Sequence, residues 1–193
     1  MKRFVFPGVI LLFLAASSPC AATTGVGLGF HGGYGQSSDA DAGSPLAGVH
    51  LLVRVAPWLG LIGMADYKFE EDFSEGDDNL TVTSIPLSAM GRIYIPIGGF
   101  SPYVAAGVQY RLLNYGGNIF DGDQYDIDDS DSAFGWLAGV GAEFDLSKST
   151  EFFGEARYES TDPDQDLDNA VEDAKDLSFD QWSVRGGFTF FLK

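Results

Sequence analysis

The chain has 193 residues, room for one domain, and carries 28 acidic against 11 basic residues, a formal charge of −17. That balance excludes nucleic-acid binding by phosphate neutralisation, and one cysteine excludes an internal disulfide or a thiolate zinc site. With 45% hydrophobic residues, 25 glycines and 16 phenylalanines it is too apolar for an acidic disordered tail and reads as a Gly- and aromatic-rich β protein.

Lys2 and Arg3 precede an apolar run over residues 4–16, followed by Ser17-Ser18-Pro19-Cys20-Ala21-Ala22. Small residues at Cys20 and Ala22 suit signal-peptidase cleavage, and thirteen apolar residues are too few for a membrane-spanning helix. The expectation is a cleaved signal peptide over 1–22 and a single β-barrel domain over 23–193.

From there the recurring pattern is alternation with period two, the mark of strands. Val26, Leu28 and Phe30 alternate with glycines and His31; Val49, Leu51, Val53 and Val55 with Gly48, His50, Leu52 and Arg54. Leu61, Ala65, Tyr67 and Phe69 enclose Asp66 and Lys68, and Ile85, Leu87, Ala89 and Ile93 enclose Ser88, Met90 and Arg92. Val104, Ala106, Val108, Tyr110 and Leu112 enclose Gln109 and Arg111; Phe134, Trp136, Ala138, Val140, Ala142 and Phe144 enclose glycines and Glu143. Phe152, Gly154, Ala156 and Tyr158 enclose Glu155 and Arg157, and Trp182, Val184, Phe188, Phe190 and Leu192 enclose Arg185. Eight strands result.

Their connections alternate in length. Short turns fall near 56–58, 96–102 and 145–150; long polar stretches cover 35–45, 70–79, 113–132 and 160–178. The long stretches hold 2, 6, 6 and 7 acids, 21 of the 28, against Lys175 alone. A nearly neutral wall with all acidic loops on one side is the layout of an up-and-down transmembrane β-barrel. The five arginines after residue 22 all fall out of phase with the apolar run of their strand, and so face the lumen; facing lipid would cost about 2–4 kcal/mol each. An eight-stranded lumen is just filled by side chains. An ionic network of Arg92, Arg111, Arg157 and Arg185 with Glu143 and Glu155 is therefore expected, with Asp66, Glu151 and Glu159 in the same phase. Aromatic girdles are expected at Trp58, Tyr94, Tyr103, Phe144 and Phe190 on one rim, and at Tyr67, Tyr110, Trp136, Tyr158 and Trp182 on the other.

The last strand, Arg185-Gly186-Gly187-Phe188-Thr189-Phe190-Phe191-Leu192, resembles the assembly signal of small outer-membrane barrels, departing from it at Lys193 where an aromatic usually ends the chain. With the whole pattern, the chain resembles the small outer-membrane β-barrel domain family, the eight-stranded group that includes the transmembrane domain of outer-membrane protein A. The resemblance implies an all-β barrel in the cell outer membrane, a monomer placed there by the assembly machinery, with membrane lipids and lipopolysaccharide as neighbours.

Catalysis is not expected. His31 and His50 are the two histidines, both in the lumen phase, and neither forms a pattern that could present a nucleophile to a lipid. No cofactor is expected. Asp121, Asp123, Asp126, Asp128 and Asp129 are weak candidates for divalent cations, without EF-hand spacing. The functional expectation is a structural or surface-interaction role, in envelope integrity or adhesion, with an extracellular partner that the sequence does not name. A narrow channel or small-ligand conduit is the alternative, and a lipid A-modifying enzyme a more distant one. Finally, pairing Gly35 with Leu46 would set His31 directly opposite His50 near the long-loop mouth, whereas a register two residues away leaves them diagonal.

Overall fold

A computed structural model describes residues 24–38, 40, 42–75, 78–121, 123–163 and 180–192. The expected export segment, 1–22, lies outside the described residues. Eight strands form a closed antiparallel barrel in chain order: β1 (Gly25–Ser37), β2 (Ser44–Ala56), β3 (Leu59–Glu75), β4 (Asp78–Tyr94), β5 (Phe100–Asp121), β6 (Asp123–Asp145), β7 (Thr150–Pro163) and β8 (Gln181–Phe191). Closure comes from β1 pairing with β8 along eleven positions, Gly27↔Phe191 to Ser37↔Gln181.

Following partners round the wall from Phe100 passes through Phe144, Phe152, Phe188, Phe30, Val49, Ala65 and Leu87, and returns to β5 at Tyr110. The stagger is therefore ten residues. Eight strands with that shear tilt by about 40° and leave a lumen that side chains can fill. The same path explains an outer stripe of rings on β5 to β1: Phe100, Phe144, Phe152, Phe188 and Phe30 are successive cross-strand partners, with ring centroids 5.0, 6.4, 5.3 and 5.8 Å apart.

Burial is inverted relative to a soluble protein. Val140, Trp182 and Val184 on the outer face are 60–65% exposed, while Arg92 and Arg157 inside have 0% exposure. A soluble sandwich would show the reverse, and the closed sheet has no second layer against which to bury its apolar face. Inward glycines make room for the polar filling. A Cβ on Gly29 would run into the His50 ring and the Phe188 carbonyl; on Gly33, into the Arg185 backbone and side chain; on Gly141, into the Tyr103 ring.

Short turns close one end. Pro57-Trp58 links β2 to β3; Gly98 takes a left-handed φ of 65° in the hairpin closed by Ile97 and Phe100; and the Ser147 amide donates to the Thr150 carbonyl at 3.0 Å.

At the other end the second and third long stretches differ from expectation. Much of 70–79 and 113–132 is paired strand. β3 and β4 keep pairing to Glu75↔Asp78 after a register shift between Lys68 and Glu71, and β5 and β6 stay in register from Leu113↔Asp131 to Asp121↔Asp123. β4 also keeps pairing with β5 up to Asn79↔Asn118. β3 to β6 thus continue as a four-stranded sheet beyond Ala133↔Pro163, the last pair of β6 with β7 among the described residues. The ten residues of β6 past that point extend roughly 30 Å along the strand. Asp richness here did not mean loss of strand. Adjacent antiparallel strands add a ladder bond for each further pair at no new closure cost, and Gly76-Asp77 is a dipeptide suited to a tight hairpin.

Candidate functional site

Strand parity puts every charged side chain described in the wall on the inner face, and the tilt stacks them along the axis. At the short-turn end, Arg54 of β2 reaches both oxygens of Glu151 (2.7 and 3.0 Å) and also Glu143, while its guanidinium lies 4.5 Å from the Tyr94 ring centre. Glu143 further accepts from Arg92 at 3.1 Å and from the Tyr94 hydroxyl at 3.0 Å. One level up, Glu155 accepts from Arg92 (2.8 Å), Arg157 (2.8 and 2.5 Å) and the Tyr103 hydroxyl (2.8 Å). Arg157 continues to Glu159 at 3.6 Å.

Above that, Glu159 is shared by Arg111 (3.1 Å), Arg185 (2.5 Å) and Gln181. Arg185 also donates to Asp66, whose other oxygen meets His31 Nε2. Lys68 closes the long-loop end, donating to Gln181 at 2.7 Å and Ser37 at 3.2 Å. Among the described residues, five guanidiniums and five carboxylates form one connected chain along the lumen. Matching charges make that burial tolerable, because a lone buried charge costs several kcal/mol.

Of the expected network, the structure brings Arg92, Arg157, Glu143 and Glu155 together. Arg111 and Arg185 instead pair with Glu159, four residues along β7 from Glu155, although Arg185 stands opposite Glu155 in the β7–β8 register. Arg54, a principal partner of Glu143, is missing from the expected set although its phase marks it as inward. Phase shows which face a residue takes, but which carboxylate each guanidinium takes is settled only by packing inside the closed lumen.

Two aromatics also move. Tyr94 and Tyr103, expected in the lower girdle, are 2% and 3% exposed inside the barrel, with rings 5.3 Å apart. Tyr94 shares parity with Arg92, and Tyr103 with Gln109 and Arg111, so period-two reading could have found them. Their hydroxyls satisfy carboxylates and their faces carry guanidiniums, with Arg92 4.4 Å from the Tyr103 ring. The other girdle residues described are on the outer face, including a ladder of Trp136, Tyr158 and Trp182 with centroids 5.6 and 5.0 Å apart.

The histidines adopt the diagonal register. Gly29 faces His50 and Gly48 faces His31, so direct opposition does not occur. Each imidazole lies over a glycine of the neighbouring strand, where a Cβ would strike the ring. Bringing the histidines face to face would lose both of these floors. The rings still touch, with Nδ1 atoms 3.3 Å apart and centroids 5.5 Å apart. They lie at the middle of β1 and β2 rather than near the long-loop mouth.

Asp121, Asp123, Asp126, Asp128 and Asp129 lie along the tip of the β5–β6 hairpin, and their side chains fall outside the described residues. Where the first long connection meets β8, the Ser38 amide and hydroxyl donate to the Asp180 carbonyl (2.8 and 3.0 Å), and Tyr158 donates to the Asp180 carboxylate at 2.6 Å. That hydroxyl holds the Asp180 carboxyl below its ordinary range.

An inverted barrel with a polar, ion-paired lumen is what an outer-membrane wall requires, and the sequence matches the outer membrane protein beta-barrel domain family over residues 8–190. The chain belongs to that family. Solved structures share the fold at low identity. OprG from Pseudomonas aeruginosa is 17% identical with a TM-score of 0.60, covering 91% of this chain and 99% of that one. A major outer membrane protein from Thermus thermophilus is 14% identical with a TM-score of 0.58, over 86% and 99%. Neisserial surface protein A is 13% identical with a TM-score of 0.53, over 86% and 96%. Among curated proteins nothing matches the chain. As an outer-membrane barrel, the protein crosses the membrane with its strands, and the exposed Val, Leu, Phe and Trp of the wall are its lipid-facing surface.

Proposed function

We propose that this outer-membrane barrel is a structural or surface-interaction protein, acting in envelope integrity or adhesion through its long acidic hairpins, rather than a conduit or a catalyst. One observation carries the reading: the ion-pair chain crosses the lumen with Arg92, Arg157 and Glu159 at 0% exposure, which leaves the barrel as an anchor for what projects above it. The projecting end is the long-loop side, extracellular in barrels of this kind. Residues 1–22 would direct export and be removed, and the assembly machinery would read β8. Divalent cations would bridge the acids to the phosphates of neighbouring lipopolysaccharide.

The test combines two measurements. Purified protein in planar bilayers is expected to give no unitary conductance; discrete steps would favour the narrow channel. Deleting residues 117–127 joins Gly116 to Asp128, cross-strand partners in β5 and β6, as a two-residue Gly-Asp turn. The variant is expected to keep heat-modifiable gel migration while weakening cell attachment or resistance of the envelope to detergent. Unchanged attachment and resistance in a properly inserted variant would refute the surface role. A mass shift of lipid A on expression would instead indicate an enzyme.

A further inference from the structure

His31 and His50 have no part in the surface role, yet they stand inside an ordered string of hydrogen bonds. The Thr189 hydroxyl lies 2.9 Å from His50 Nε2, the two Nδ1 atoms are 3.3 Å apart, and His31 Nε2 meets Asp66, whose second oxygen takes Arg185. His31, His50, Asp66, Thr189 and Arg185 are each at most 4% exposed, and Phe153 covers both rings, edge-on to His50 at 5.3 Å.

The chemistry of the ends dictates the protons. Asp66, already bound by Arg185, can only accept, so His31 Nε2 carries hydrogen. Neutral His31 then offers a lone pair at Nδ1. The 3.3 Å gap holds one proton: two lone pairs there would repel, and two N–H groups would collide. With His31 accepting, His50 must donate from Nδ1, and its Nε2 accepts from Thr189. The neutral pair therefore has a single consistent arrangement, with opposite tautomers in the two rings.

One more proton has one vacant lone pair to occupy, at His50 Nε2, and the Thr189 hydroxyl turns from donor to acceptor without moving. The bridging proton then decides which ring bears the charge. A second added proton has no position. The charged groups facing the pair are Asp66 from β3, Arg92 from β4, Glu155 from β7 and Arg185 from β8; Arg92 and Glu155 are bonded to each other at 2.8 Å. We propose that His31 and His50 form a one-proton site at the junction of β1, β2, β3 and β8, holding opposite tautomers when neutral and accepting one further proton rather than two.

The chain contains 2 histidines, so ¹⁵N-histidine spectra of untagged, folded protein in nanodiscs contain two imidazoles. At pH 8 the expected patterns are an Nε2–H tautomer and an Nδ1–H tautomer. Assignment uses whichever of His31→Gln and His50→Gln retains heat-modifiable migration. Lowering the pH to 4 should add one proton across the two rings, with intermediate shifts shared between them. Thr189→Val, which keeps the shape and removes the hydroxyl, should leave the Nδ1–H tautomer of His50, which the His31 lone pair fixes, and should reduce the proton added at pH 4 by removing its acceptor at Nε2. Identical tautomers at pH 8, two imidazolium rings in a still-folded barrel, no proton uptake by pH 4, or a transition metal retained between the Nδ1 atoms after purification would each overturn the proposal.

Discussion

Glu155 accepts from two guanidiniums and a phenol in the lumen while 3% exposed. Glu155→Gln keeps its shape and removes its charge. Breaking a buried ion pair from one side costs about 3–5 kcal/mol, because the surviving partner keeps its desolvation penalty. The lower end applies here, since Arg92 retains Glu143 at 3.1 Å and Arg157 retains Glu159 at 3.6 Å. About 3 kcal/mol corresponds to roughly a 150-fold fall in the folding equilibrium constant. Reversible urea unfolding in lipid vesicles can measure it. Trp58, Trp136 and Trp182, each more than 50% exposed on the outer face, report departure from lipid by fluorescence. The double variant Glu155→Gln with Arg157→Met removes both charges of one contact. Its loss should be at least about 1 kcal/mol smaller than the sum of the two single losses. A loss below about 0.5 kcal/mol for Glu155→Gln, or strict additivity in the double variant, would refute the view that the lumen is held by charges with nowhere else to go.

Three further outcomes are expected. Val140→Arg, on the lipid face near mid-wall and 60% exposed, should cost about 2–4 kcal/mol in the same unfolding assay, and a neutral result would contradict the inverted burial. Gly29→Ala, whose Cβ meets the His50 ring and the Phe188 carbonyl, should destabilise by about 1–3 kcal/mol, whereas Gly154→Ala, with nothing within 4 Å, should leave the midpoint nearly unchanged; equal effects would sink the packing argument. Tyr158→Phe should return the Asp180 carboxyl upward toward its ordinary range in a carbon-detected NMR titration. Because the folded value is depressed, the stabilising bond is fully present at neutral pH and lost as pH falls through that value; an unshifted titration in the variant would show that the hydroxyl is not the cause.

Much of this architecture is legible in the amino-acid order because period two is a local property. A residue's parity within its strand decides its face, and arginines out of phase with valines and phenylalanines fix the lumen side without knowledge of any partner. Parity also held the right answer for Tyr94 and Tyr103, where aromatic character near a strand end outweighed it. Strand number and order follow from counting apolar runs and turns.

Register is different. It depends on how eight pairings close on one another, and a change of two residues keeps every side chain on its face while moving its neighbours. That is why His31 and His50 meet diagonally over Gly48 and Gly29. The same closure sets the ten-residue stagger that stacks Arg54, Arg92 and Arg157 as successive levels. The length of the β5–β6 hairpin also escaped local reading, since Asp and Gly report exposure and turn chemistry while the ladder depends on a partner strand held alongside. Face was decided along the chain; height, partner and projection were decided only when the sheet closed, because only then does each strand acquire a fixed position relative to the other seven.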